Sequence, residues 1–266
     1  MNMFLLAISN YRKGFRFLLE QKLSWYFIFP IFVNIIMFYF MIKTSAYVSA
    51  EIISYLESTL AGADFWGASF LLKIVTGGLV IVFKILLFLV FAYIGGYLVL
   101  ILLSPVFSHL SETTEKKLTG NDFPFVFSQF ISDVFRGIKL ALRNGILEIL
   151  ILLSVWIITI ALGWIPIIGQ IIAILGQVLL FLVSAYFYGF SFMDYTSERY
   201  KLSSKEGIKL IKSNRWAAIG TGFPFALLLV FNFWGIGIIL AGFVAIISVV
   251  AATFTMLYLL QHKENV

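Results

Sequence analysis

Residues 149–193 read ILILLSVWIITIALGWIPIIGQIIAILGQVLLFLVSAYFYGFSFM, without one charged side chain. About 20 apolar residues suffice for a helix to cross a bilayer, so this stretch can enter hydrocarbon and come back. Breakers sit near its middle, in Gly163-Trp-Ile-Pro166-Ile-Ile-Gly169; proline lacks an amide donor and glycine frees the backbone to turn. Residues 217–261 are likewise uncharged and are interrupted by Asn232-Phe-Trp-Gly235-Ile-Gly237. Each stretch reads as a helical hairpin, with Pro166 and Gly169 at the first turn and Gly235 and Gly237 at the second. The leading arms, 149–162 and 217–231, reach only about 21–23 Å as helices, short of the roughly 30 Å hydrocarbon core. Both hairpins are therefore expected to cross barely or to dip in and return.

The rest of the chain fits the same reading. Of its 266 residues 61% are hydrophobic and 12% charged, against about 45–50% and about 25% in soluble domains. That excludes a soluble enzyme and a disordered chain, and the strand alternation of a membrane barrel is missing. The expected fold class is all-α: one polytopic membrane domain with two long transmembrane helices, two short hairpins and amphipathic interfacial helices. Outward from the first hairpin, residues 108–148 carry a short polar helix and then an amphipathic one over 127–144. In the latter, Phe127, Phe130, Ile131, Val134, Phe135, Ile138 and Leu142 form a stripe opposite Asp133, Arg136, Lys139 and Arg143. The long membrane helices are placed at 25–60 and 65–107, with a turn at Ala61-Gly62-Ala63-Asp64 and a break at Ser104-Pro105. Residues 1–24 form an interfacial helix with Phe4, Ile8, Tyr11, Phe15 and Leu18 on its apolar face. A basic segment, 194–216, joins the hairpins; Ser203-Ser-Lys-Glu206 opens a short helix bearing Lys205, Lys209 and Lys212. The second hairpin occupies 217–260.

Charge then orients the chain. With both long helices spanning and both hairpins returning, 16 Lys/Arg lie on one side and 3 on the other. Cytoplasmic surfaces carry the excess of basic residues, so both termini are placed in the cytoplasm and the chain in an inner, or plasma, membrane next to its lipids. Zero cysteines and two distant histidines, His109 and His262, argue against a metal site or thiol chemistry. No phosphate loop, nucleophile elbow or metalloprotease motif occurs, which speaks against an enzyme, a cofactor and ATP-driven transport. Nothing resembles a nucleic-acid recognition motif.

The ionisable groups are few. Lys73 and Lys84 interrupt the second long apolar stretch on one helix face: either they line an anion path, or, the favoured reading, Lys84 snorkels at the end of its span and Lys73 lies outside it. Glu112 and Glu115 share a helix face, and Asp194 sits where an apolar run ends, within reach of Arg199 or Lys201. Glu112, Glu115, Asp194 and Arg199 are the candidates for lining or gating a pathway, since charges near a membrane core face cavities or partners.

Several stretches taken together resemble one family. They are Phe29-Pro-Ile-Phe-Val-Asn-Ile35; Ser104-Pro105 followed by Leu110-Ser-Glu112, Glu115 and Leu118-Thr-Gly120; Ile165-Pro166-Ile-Ile-Gly169-Gln170; Ser184-Ala185-Tyr186; Asp194-Tyr195; and Lys205-Glu206. In order and spacing they resemble the CysZ sulfate permease family, the bacterial branch of the etoposide-induced-protein-type membrane proteins. The resemblance implies two long membrane helices with two partly penetrating hairpins, and a homo-oligomer that passes sulfate or a similar anion inward for cysteine synthesis. It also implies an anion site at the turn before the first span, in a Gly-x-Arg-Arg pattern. Here the glycine position is Lys22 and the arginine positions are Ser24 and Trp25. The candidate anion-binding residues are therefore Gln21, Lys22, Leu23 and Ser24. Lys22 is the local cation, and the first amides of the span are the expected donors. The competing class is a membrane protein without transport activity that shapes the bilayer or scaffolds partners through its short hairpins.

Overall fold

The computed structural model describes residues 2–60, 68–121, 127–200, 202, 204–230 and 236–263. Among these every regular element is helical: α1 (Met3–Glu20), a 3-10 turn (Ser24–Phe27), α2 (Ile28–Leu60), α3 (Ala68–Leu102), α4 (Ser104–Thr119), α5 (Phe127–Leu162), α6 (Ile168–Arg199), α7 (Ser204–Ser213), α8 (Arg215–Val230) and α9 (Ile236–Lys263). Five of them, α2, α3, α5, α6 and α9, are long and apolar enough to cross a membrane, while α8 is apolar but shorter. Consecutive apolar helices pack in pairs, α2 on α3, α5 on α6 and α8 on α9. The chain is a multi-pass helical membrane protein.

The layout departs from two spans with two short hairpins. The expected amphipathic helix at 127–144 and the expected short arm at 149–162 are one helix, α5, of 36 residues, about 54 Å long. Nothing between them stops a helix. Asn144 is turned inward to donate to Ser191 Oγ at 3.2 Å instead of capping, and a lone Gly145 costs only about 1 kcal/mol against alanine. Its partner α6 has 32 residues, so the first hairpin is long. Only the second hairpin keeps a short arm, the 16 residues of α8, about 24 Å. The stretch 231–235 between its arms, with Gly235, and the turn at 61–64 lie outside the described residues. Gly237 falls in the first turn of α9.

Helix ends follow local chemistry. Pro105 sits in the first turn of α4, where its missing amide costs nothing. Gly120 ends α4 at φ 75° and donates its amide to Lys116 O at 2.9 Å. The turn between α5 and α6 contains Pro166, and Ile167 there takes φ 68°. A Cβ on Gly169 would lie 2.8 Å from Gly163 Cα, so the two glycines let the turn close on itself.

The helices α1, α6, α8 and α9 form the core, and small residues let them approach. On α6, Ala185 and Gly189 face Ala218 and Gly222 of α8, and a Cβ on either glycine would overlap a backbone carbonyl of the other helix. This is the small-xxx-small packing of membrane helices, doubled. An aromatic chain extends from it: Tyr188 and Phe192 lie 4.8 and 5.3 Å from Phe225, and Phe192 lies 6.1 Å from Phe107 on α4. The FPIFVNI stretch docks α2 on α9. Pro30 covers Gly242, where a Cβ would meet it at 2.6 Å, and Asn34 donates to Ile239 O at 3.0 Å.

The buried side of α1 also differs from expectation. Leu6, Ala7, Asn10, Gly14, Phe17 and Leu18 are buried, while Phe15 is exposed. The reason is a partner: α1 packs on α8 and α9, so its contact face follows small and hydrogen-bonding residues. Asn10 donates to Thr255 Oγ1 at 2.9 Å, and the Tyr11 hydroxyl reaches Thr221 O and Ser248 Oγ. Burial pushes the Tyr11 pKa far above the usual phenol range, so the group remains a neutral donor.

Candidate functional site

The segment from Glu20 to Tyr26 turns the chain from α1 into α2. Lys22 adopts φ 56°, a left-handed conformation that suits glycine and strains a residue with a Cβ. Around it α1 ends in a Schellman motif: the Leu23 amide donates to Leu18 O at 2.8 Å and the Lys22 amide to Leu19 O at 3.2 Å. Leu23 is buried beside Leu18 in the same core cluster, the apolar contact that accompanies this cap. The Gln21 amide donates to Phe17 O at 2.9 Å. Three amides of the turn are therefore directed at α1. The donors left for an anion are the Ser24 hydroxyl, the Ser24 and Trp25 amides that open the 3-10 turn, and the Lys22 ammonium.

A second cation arrives from a distant helix. Lys117 on α4 donates to Gln21 Oε1 at 3.2 Å, across 96 residues of sequence. Lys22 and Lys117 are both exposed, Lys22 within the turn and Lys117 bonded to its Gln21. Beneath it Tyr26 is buried, with its hydroxyl 3.3 Å from His109 Nδ1 and His109 Nδ1 in turn 3.1 Å from Thr113 Oγ1. The Trp25 and Phe29 rings lie tilted against Tyr26, with centroids 4.1 and 6.2 Å from it. The α4 helix thus fixes both sides of the turn.

The four pathway candidates do not meet at one point. Glu112 is half-buried and acts electrostatically on the Tyr26 hydroxyl, which puts it near the Gln21–Ser24 turn. Glu115, one turn further along α4, is fully buried. It follows Ser111, whose hydroxyl lies 2.9 Å from Thr253 Oγ1 and 3.4 Å from Thr196 Oγ1. Asp194 points elsewhere. Two residues before Thr196, it is about 200° around α6, and it pairs at 3.2 Å with Arg136 of α5. Arg136, 58 residues away in sequence, is thus one partner of Asp194. Arg199 ends α6, but its side chain and Lys201 lie outside the described residues.

Arg136 also donates to Leu202 O at 3.3 Å, joining α5, α6 and the segment leading to α7. A further buried carboxylate, Glu148 on α5, accepts from Ser184 on α6; the sequence offers no pattern linking them. Lys84 lines a shallow groove between α2 and α3 with Ser45. Among the described residues no cluster of three or more metal-ligating side chains occurs.

The conformation of Lys22 makes a test with two opposite signs. Lys22→Gly should raise thermal stability by about 1 kcal/mol through relief of the left-handed strain, while it lowers anion affinity by removing the charge. Lys22→Ala should lower affinity without the gain. Thermal melts of both variants, with and without sulfate, check this; a less stable Lys22→Gly chain contradicts the reading of the turn.

No curated protein matches this chain. A family model described as Sulfate transporter CysZ/Etoposide-induced protein 2.4 matches residues 10–246, which takes in α2 to α8 whole, most of α1 and the first part of α9. The chain belongs to that family.

Proposed function

We propose that this chain carries sulfate, or a dianion of similar size, across the bacterial inner membrane as a homo-oligomer, in support of cysteine synthesis. The observation that carries the reading is the hydrogen bond of Lys117 to Gln21, the sequence neighbour of Lys22. A sulfate leaving water needs charge and several N–H or O–H donors in return. Two ammonium groups, the Ser24 hydroxyl and two free-ended amides are of that kind. Glu115 and Asp194 face different neighbours within one chain, so a continuous polar path through Glu112, Glu115, Asp194 and Arg199 is drawn between subunits. Isothermal titration with sulfate tests the site. Lys22→Ala and Lys117→Ala should each weaken binding about 10- to 150-fold, from charge-assisted bonds of about 1.5–3 kcal/mol. Ser24→Arg with Trp25→Arg should strengthen it. No heat from the native chain or from the arginine pair contradicts the site.

The pairing of α2 with α3, α5 with α6 and α8 with α9 supports both termini on one side, and the lysine and arginine excess supports the cytoplasm for that side. Reporter fusions at both ends should be active only in their cytoplasmic form; periplasmic or mixed ends contradict it. A second reading, a bilayer-shaping or scaffold protein, draws on α8, which at about 24 Å falls short of the hydrocarbon core.

A further inference from the structure

Between α5, α6 and the start of α8 runs an open groove of about 670 Å³. Its long wall is apolar: Leu179, Leu182 and Val183 of α6, with Ile151 of α5 and Ile219 of α8. Along α6 this wall covers about 12 Å, from Leu179 to Phe187. Its other end is cationic. Lys212 in the last turn of α7 and Arg215 in the first turn of α8 both line it, beside Trp216. Neither cation forms an ion pair among the described residues. Arg143 of α5 also acts electrostatically on Tyr186 of the wall. Trp216 is 52% exposed and is of the type that settles at the boundary between headgroups and acyl chains.

We propose that this groove holds one anionic phospholipid, with its phosphate at Lys212 and Arg215 and its acyl chains along Leu179, Leu182 and Val183. The division of the groove into a cationic mouth and an apolar length selects this occupant. A free inorganic anion would leave the apolar wall uncovered. The packing helix of a second copy would need a carboxylate for two unpaired cations, whereas a lipid supplies charge and chain in one molecule. A zwitterionic headgroup brings a cation of its own next to Lys212 and Arg215, so an anionic headgroup is preferred.

Native mass spectrometry of the purified full-length chain in detergent tests the assignment, with phosphatidylglycerol, phosphatidylcholine of the same acyl chains and inorganic phosphate added separately. The native protein should retain one phosphatidylglycerol per chain in preference to phosphatidylcholine. Lys212→Gln with Arg215→Gln should weaken phosphatidylglycerol about 30-fold, about fivefold for each cation, and leave phosphatidylcholine unchanged. Lys212→Arg with Arg215→Lys should keep the preference, which separates loss of charge from loss of fold. Leu179→Trp, which fills the wall, should weaken both lipids. Equal retention of the two lipids, or an unchanged preference in the glutamine pair, overturns the proposal. Inorganic phosphate binding as tightly as the lipid overturns it in favour of a free-anion site. The chain has no cysteine, so Val183→Cys reports on the remaining occupant: disulfide-linked dimers that exclude lipid assign the groove to a second copy.

Discussion

Gly222→Val is expected to abolish the folded protein. A Cβ at Gly222 would overlap Ala185 O and lie 2.9 Å from Ala185 C, and the opposing position Gly189 is equally closed by Ala218 O. These neighbours are backbone atoms in helix interiors and have no rotamer to change. The two helices would have to separate, which uncovers the buried aromatic contacts of Tyr188 and Phe192 with Phe225. Ordinary overpacking costs about 1–3 kcal/mol, and a clash of backbone on backbone belongs above about 4–5 kcal/mol. Even Gly222→Ala should destabilise. The control is α3, where a Cβ on Gly77 or Gly78 meets nothing within 4 Å; alanine there should be neutral or stabilise by up to about 1 kcal/mol. Size-exclusion profiles and thermal melts in detergent read the outcome. A monodisperse Gly222→Val protein melting with the native chain would contradict the α6–α8 contact.

Asp194→Ala carries the second large effect. The Asp194 side chain is 6% exposed and that of Arg136 21%. Removing the carboxylate strands a largely buried guanidinium between α5 and α6, at a cost of about 3–5 kcal/mol. The pair itself contributes far less than that, because desolvation offsets most of its attraction. Arg136→Met combined with Asp194→Leu should therefore be more stable than Asp194→Leu alone, and a double-mutant cycle measures the difference. Strictly additive losses would show that the ion pair does not hold α5 to α6.

Much of the architecture was legible because the bilayer imposes a coarse code: uncharged runs such as 149–193 have few alternatives to membrane helices. What stayed hidden depended on partners. The continuity of α5 through Asn144 and Gly145 rests on a hydrogen bond to Ser191, a residue on another helix. The contact face of α1 follows Ala7 and Gly14, where α8 and α9 come close, while hydropathy alone favours the side with Phe15. At the Gln21–Ser24 turn Lys22 was visible as a local cation, but its left-handed backbone was not, because nothing in a lysine signals φ 56°. Lys117 and Arg136 were missed as site residues for a single reason. Their partners Gln21 and Asp194 lie 96 and 58 residues away, and one chain read alone contains no signal for such pairs.

Uptake of radiolabelled sulfate into sealed proteoliposomes, at sulfate well below saturation, is the most direct test of an anion path entered at the Gln21–Ser24 turn. The native chain should admit sulfate faster than protein-free vesicles. Lys22→Ala with Lys117→Ala should slow that influx by at least about 100-fold, from two lost charge-assisted contacts of about 1.5–3 kcal/mol each. Influx equal to that of empty vesicles, or undiminished in the double variant, would contradict it.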